Sequence, residues 1–561
     1  MLRKVVSIAF AAGLIPAYAF AADPPTRILF NGRVLTMDAS DRVVQAVAID
    51  GDRIVAVGSN DEVQRLAGPR TKVLDLGGRT VIPGLGDAHT HAIRGGQTYR
   101  FETYWYDVTT LAVALEALKE AAVKKGPGKW VTVAGSWAPE QFKENRAPSF
   151  DDLTAALPDN PAYVQYLYDH AVVNARGLAA LGLDKQDASI PGIEIERGAD
   201  GRPTGKLFGN IGSFSGLFAR IAASNDEERK QSLASYVAEL NARGVTAIVD
   251  AAGGGSGGAV YDPLFALHRE GKLTLRVAYR VSAQTPGNEA AWYSNVLSYM
   301  PPRLGDDKLR FLGLGEIVVF KVNDGVRMAP GFDAPNDGRE ELYKVAVMAA
   351  RRKYPLEIHA YTDDAARQIL DVLERVSQTA DIRNLRWCIA HIHTATRETF
   401  ERMKKLGICY SVQMGPYFEG LQLLKANSAA VAERATPTKI ALEEGLMVVG
   451  GTDSTRIGEY NPWRAIEYHI TGRAIGGSVQ RRPDFALTRQ QALRLYTSAA
   501  AWVTFDEGDR GTIEPGRLAD LAVLDQPYLT IAVDRIHTLQ SVMTMVGGEV
   551  VHAAAGFEAA R

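Results

Sequence analysis

A chain of 561 residues is too long for one small hydrophobic core, and 46% hydrophobic with 23% charged residues is an ordinary globular composition that argues against disorder. Its formal net charge of −2 gives no electrostatic basis for binding nucleic acid or an anionic membrane surface. It contains no Gly-x-x-x-x-Gly-Lys-Ser/Thr phosphate loop and no nucleic-acid motif.

The chain opens on Met1-Leu2-Arg3-Lys4, a short basic stretch, followed by an apolar run over 5–15 and the small residues of Ala17-Tyr18-Ala19-Phe20-Ala21. That is the pattern of a secretory signal peptide over residues 1–21. The run is too short to span a bilayer, and no later stretch has about 18 uncharged apolar residues. The expectation is a periplasmic or secreted protein with no membrane segment after cleavage, whose charge moves from −2 to −4 on loss of Arg3 and Lys4. From about 26 to 80, apolar and polar residues alternate between Gly and Asp turns, as in short antiparallel strands.

Next comes Val81-Ile82-Pro83-Gly84-Leu85-Gly86-Asp87-Ala88-His89-Thr90-His91. An apolar pair enters a Pro-Gly turn, and the strand-like run after it turns both imidazoles to one face with Thr90 on the other. Such a pair can chelate a metal, although His-x-His alone is a weak signal. With Gly32-Arg33-Val34-Leu35-Thr36-Met37 and Ile49-Asp50-Gly51-Asp52-Arg53-Ile54-Val55-Ala56-Val57-Gly58 in front, it resembles the amidohydrolase superfamily of metal-dependent hydrolases. The resemblance covers nearly the whole chain. It implies a TIM (β/α)8 barrel, within the α/β class, whose first strand ends in His-x-His. It also implies a small β-sandwich built from both chain ends, 22–80 and 505–561.

Eight apolar, β-rich runs separated by helical patterns supply the barrel strands of an 81–504 domain: 80–91, 247–251, 275–281, 317–322, 356–361, 387–392, 409–413 and 447–453. The first gap is far longer than one helix and loop, so residues 97–230 should form an inserted subdomain over the barrel mouth. Its Gly135-Ser136-Trp137, Gln141-Phe142 and Ala171-Val172-Val173-Asn174-Ala175-Arg176 resemble the YtcJ-like branch, amidohydrolase family 3. The closing Gly511-Thr512-Ile513-Glu514-Pro515-Gly516 and the run after it repeat the texture of the first β-region.

TIM-barrel active sites lie at the C-terminal strand ends, so polar residues closing apolar runs are the candidates. His89, His91, Lys321, His359, His391 and Asp453 meet that description. Imidazoles and a carboxylate suit Zn2+ or a similar divalent ion, and six donors suffice for two ions sharing bridging ligands. A lysine ammonium cannot ligate; the resemblance implies that Lys321 is carboxylated by CO2 and bridges as a carbamate. The alternatives are a salt-bridged interior lysine, or ligation by nearby Glu316 instead. His393 shares a strand face with His391 and could replace it. Asp453 would take a proton from metal-activated water and pass it to the leaving amine.

The expected activity is hydrolysis of an amide-type C–N bond, other than peptide backbone in general, in a small-molecule substrate. Ester, lactone or cyclic-amide hydrolysis is the enzymic alternative; a periplasmic ligand- or metal-binding protein is the non-enzymic one. Two motifs depart from the branch pattern, Ile358-His359-Ala360-Tyr361-Thr362-Asp363 and Ala390 before His391, so the pocket is not transferable from relatives. Trp137, Asp324, Tyr361, Met414 and Arg456 are its candidate substrate-binding residues. Gly254-Gly255-Ser256-Gly257-Gly258 formally satisfies a nucleophile-elbow pattern, but so many glycines make a poor strained turn. Cys388 and Cys409 each lie in an apolar run and read as buried free thiols. A homo-oligomer is left open.

Overall fold

The computed structural model describes residues 23–185, 187–252 and 258–558. The expected signal peptide and the glycine-rich loop up to Gly257 lie outside them. At the centre are two parallel half-sheets. In the first, β1 (Leu85–Thr90), β2 (Val245–Asp250), β3 (Arg276–Val281) and β4 (Leu309–Leu314) pair in that order. In the second, β5 (Glu357–Ala360), β6 (Cys388–His391), β7 (Cys409–Val412) and β8 (Val448–Gly450) do the same. Leu314 N donates to Pro355 O at 3.0 Å where β4 meets the start of β5. On the other side Asp453 N donates to His89 O at 3.0 Å, joining β8 to β1. Burial on both faces explains why these strands read as near-continuous apolar runs.

Helices with one apolar stripe separate the strands. Asp363–Ser377 buries Ala365, Ala366, Ile369, Leu370, Leu373 and Val376, the three- and four-residue spacing of one helix face. Arg397–Leu406 starts where the Thr396 side chain accepts from Thr399 N and stops at Gly407, whose φ of 69° is left-handed.

The fourth strand corrects an expectation. It is Leu309–Leu314, and the run at 317–322 is a loop ending in a 3-10 turn, Phe320–Val322. Gly313 and Gly315 weaken the strand signal of the true strand, yet Gly313 is required: a Cβ there would sit 2.2 Å from Pro355 O, at the seam with β5. The β-branched Ile317, Val318 and Val319 are buried as loop packing instead.

A second correction concerns the cysteines. Cys388 and Cys409 are register partners on adjacent parallel strands, with Cα atoms 4.4 Å apart, and they form a disulfide. Their separation of 21 residues in sequence carried no sign of this.

Both chain ends share one sheet, ordered Glu549–Ala553, Ser541–Val546, Leu521–Leu524, Thr80–Pro83, Arg33–Leu35, Val43–Val44. With a four-stranded sheet of N-terminal strands it encloses a core in which Leu29, Val34 and Val81 meet Leu521, Val523 and Met543. Between β1 and β2 lies a five-stranded sheet with its own apolar core. It docks on the loop after β8: Ser136 Oγ donates to Thr455 O at 3.1 Å and Gly458 O at 2.8 Å. Gly135 (φ 103°) permits this approach, since a Cβ would stand 2.1 Å from Arg456 O.

Candidate metal centre

The strand ends of β1, β4, β5, β6 and β8 deliver His89 and His91, Glu316, His359, His391 and Asp453 to one buried locus. Three overlapping triads, His89-His391-Asp453, His89-His91-Glu316 and Glu316-His359-His391, each hold ligand atoms within 4.8 Å of one another. Glu316 is their hub. Its Oε2 lies 2.9 Å from His359 Nδ1, 3.0 Å from His391 Nε2 and 3.7 Å from His89 Nε2, and its Oε1 lies 3.2 Å from His91 Nε2. Asp453 Oδ1 lies 3.3 Å from His91 Nε2 and 3.8 Å from His89 Nε2. Burial would raise the Glu316 carboxyl, but His359, His391 and His91 hold it well below the usual carboxylate range.

The donor set fits divalent metal. His89 Nε2 is buried, has no hydrogen-bond partner among the described residues and faces the two acids, while its Nδ1 donates to Glu357 Oε1 at 3.0 Å. His91 Nδ1 donates to Ala252 O at 2.6 Å, leaving Nε2 for the centre. His359 Nε2 donates to Gly325 O at 2.8 Å. An imidazole fixed through one nitrogen so that the other faces a metal is the usual outer arrangement of a ligand histidine. Asp87, behind His89, accepts from Thr452 N and Oγ1 at 3.0 and 2.5 Å and binds β1 to β8. His391 (φ 72°), Ile392 (φ 29°) and Asp453 (φ 55°) hold left-handed backbone where β6 and β8 end, strain of the kind concentrated at functional sites.

Lys321 is elsewhere, and its expected role as a bridging carbamate is corrected. It lies in the 3-10 turn beyond β4, 48% of its side chain is exposed, and its ammonium pairs with Asp337. That partner raises the Lys321 pKa, which opposes the neutral amine that carbamate formation needs. The place expected for it belongs to Glu316, two residues past the real strand end. His393 is also outside the triads; it is buried, its ring nitrogens have no hydrogen-bond partner among the described residues, and its ring centroid is 4.7 Å from that of Tyr361.

His91, Glu316, His359, His391 and Asp453 line a small chamber of about 30 Å3, together with Tyr361 and Arg456. Arg94, Tyr168 and Arg456 also line an adjoining cavity of about 540 Å3, walled by Phe214, Phe218 and Ala222 of the inserted segment. Of the five expected substrate residues, Tyr361 and Arg456 therefore line the chamber. The other three do not. Trp137 is buried against Trp105 and Phe142 with Nε1 donating to Gln165 O, Met414 is wholly buried, and Asp324 accepts from Tyr361 N, Thr362 N and Thr362 Oγ1. Asp324 Oδ1 still lies 3.6 Å from His359 Nε2, where its charge acts on that ring without a hydrogen bond. Glu357 and Arg94 were missed: Glu357 sits two before His359 on the same strand face, a signal that period two could have supplied, whereas nothing local marks Arg94.

Residues 72–552 match the Amidohydrolase family. The chain is 26% identical over 540 residues to N-substituted formamide deformylase of Arthrobacter pascens, covering 93% of this chain and 97% of that one. It is 23% identical over 552 residues to the putative amidohydrolase YtcJ of Bacillus subtilis (strain 168), covering 94% and 99%. A metal-dependent hydrolase from Pyrococcus horikoshii OT3 superposes with a TM-score of 0.65 at 20% identity over 91% of this chain and 99% of that one, a likeness of fold.

Proposed function

Because the chain belongs to the Amidohydrolase family, we propose that it is a metal-dependent hydrolase that cleaves an amide-type C–N bond of a small molecule with activated water. The observation that carries this reading is the convergence of four buried histidines on the Glu316 carboxylate, with Asp453 against three of them. The two half-sheets are read as one TIM (β/α)8 barrel, with the end sheets as its β-sandwich and the inserted segment as a cover over the strand ends. The deformylase relative supports an amide substrate.

His89, His91, Glu316, His359, His391 and Asp453 would hold two divalent ions such as Zn2+, with Glu316 shared between them. Such ions, when bound, supply Lewis acidity that lowers the pKa of water and polarises a carbonyl. Asp453 moves the proton. Although burial raises its pKa, His91, His391 and His89 bring it below the ordinary carboxylate value, so it accepts from the attacking water and returns the proton to the leaving nitrogen. Glu357 and the Ala252 carbonyl keep His89 and His91 aimed at the centre. Phe214 and Phe218 restrict water around the bound substrate. Export to an oxidising compartment is part of the proposal, supported by the opening sequence and by the Cys388–Cys409 disulfide.

Metal-replete mature protein assayed on N-acyl amino acids, N-substituted formamides and lactones tests the reading. Release of free amine from one of the amide classes is expected. Stoichiometric metal with turnover of lactones alone would contradict it.

A further inference from the structure

Three side chains line both cavities, and two of them are cations in different circumstances. Arg456 is neutralised: Nη1 and Nη2 donate to Glu102 at 3.0 and 3.2 Å, and the guanidinium lies over Phe218. Arg94 has no such partner. Among the described residues, no hydrogen bond, ion pair or ring contact engages its side chain. The residues outside that set, 1–22, 186, 253–257 and 559–561, contain no Asp or Glu that could supply one. Asp250 feels the charge of Arg94, but its oxygens are used by Ile93 N, Ala252 N and Tyr261 OH at 2.9, 3.1 and 3.3 Å.

The position of Arg94 sharpens the point. It stands three residues beyond His91 on the helix Ala92–Gly96, and both side chains line the small chamber. Arg94 is half-buried, and an unpaired guanidinium facing a centre built for dications is stabilised by an anion placed between the two. The two cavities offer complementary settings: a chamber of about 30 Å3 at the ligands, and a mostly apolar space of about 540 Å3, the size of a small-molecule pocket.

We propose that Arg94 is a specificity-determining residue that binds an anionic group, and that the substrate is an amide carrying a carboxylate near the scissile bond and an apolar body. The carboxylate meets Arg94 at the junction, the C–N bond lies in the small chamber, and the apolar body fills the larger cavity. The step is hydrolysis: water adds to the carbonyl, the C–N bond breaks, and a carboxylate and an amine leave. The substrate class rests on the hydrolase reading; the anion site does not.

Two arms keep these separate. The first compares kcat/KM for N-benzoylglycine and its neutral counterpart, N-benzoylglycinamide, in wild type, Arg94→Met and Arg94→Lys. A charge-assisted contact predicts an acid-to-amide preference of about 10- to 100-fold in wild type, largely erased in Arg94→Met and partly kept in Arg94→Lys. The second measures binding of 3-phenylpropionate, phenylphosphonate and 3-phenylpropanamide to metal-free protein by calorimetry. Both anions should bind more tightly than the amide, and Arg94→Met should weaken them at least about tenfold. A larger loss for one anion identifies whether the site is shaped for carboxylate or phosphonate. If neither benzoyl compound turns over but the anions bind through Arg94, the substrate class fails and the anion site stands. Anion binding unaffected by both substitutions overturns the proposal, and so does a wild type indifferent to charge in both arms.

Discussion

Glu357 Oε1 accepts from His89 Nδ1 at 3.0 Å, and the other oxygen of the same carboxylate, Oε2, lies 3.1 Å from Arg280 Nε. All three side chains are buried. Burial would raise the Glu357 carboxyl, but His89 and Arg280 bring it to about 2, so it is anionic at neutral pH. One carboxylate thus fixes the ring of a candidate ligand and compensates a guanidinium beneath the site.

Glu357→Gln should lower metal affinity by about 10- to 100-fold, read by competition with a chromogenic chelator. It also leaves Arg280 without a charge partner, at a cost of about 3–5 kcal/mol. Pairing it with Arg280→Met separates the effects: the double variant should regain stability while its metal affinity stays low. Recovery of both would reduce Glu357 to a structural ion pair.

The disulfide closes a loop between register partners, and the chain-entropy relation for a separation of 21 residues gives about 3 kcal/mol. Cys388→Ala with Cys409→Ala should lower the unfolding free energy by that order in denaturant titrations. Reductant should lower wild type toward the variant and leave the variant unchanged. Two alkylatable thiols in denatured, unreduced protein would show that the bond does not form.

Asp506 ties the segment after the last central helices to β4. It accepts from Arg510 Nε at 3.1 Å and from Thr504 Oγ1 at 2.8 Å, and it pairs with Arg310. Burial raises its pKa, but Arg510 and Arg310 carry it below the ordinary carboxylate value. A depressed folded pKa adds stability that is complete above the unfolded pKa and lost as pH falls through the folded one. Asp506→Asn should therefore cost about 1–3 kcal/mol at pH 7, with the gap to wild type narrowing below about pH 4. Denaturant titrations at both pH values check it; a gap that widens on acidification contradicts it.

Much of this arrangement was legible because it depends on strand chemistry. Cys388-Ile389-Ala390-His391 is apolar on both faces until it ends in a histidine, and Leu356-Glu357-Ile358-His359 sets an apolar face against a face of two polar groups, which is how buried parallel strands carrying site residues read. The same habit misled at β4. There the glycines needed at the seam with β5 hide the strand, and the more β-like Ile317-Val318-Val319-Phe320 beside it drew the register several residues too far, landing on Lys321 instead of Glu316. The disulfide and the unpaired state of Arg94 were out of reach because each depends on neighbours distant in sequence, a register partner in one case and the absence of a carboxylate in the other. Trp137 and Met414 misled differently: large apolar groups beside a motif are as readily core as pocket.

In the proposed metal centre Glu316, and not a modified Lys321, is the shared ligand. Elemental analysis of bound divalent ions in wild type, Glu316→Ala and Lys321→Ala, with intact mass under CO2-saturated conditions, tests it most directly. Lys321→Ala should keep the wild-type metal content and amide-hydrolysing activity, and wild type should show no added carbamate. Glu316→Ala should lose most of its metal, because four histidines are left without their common anionic partner. Metal retained in Glu316→Ala and lost in Lys321→Ala would contradict it.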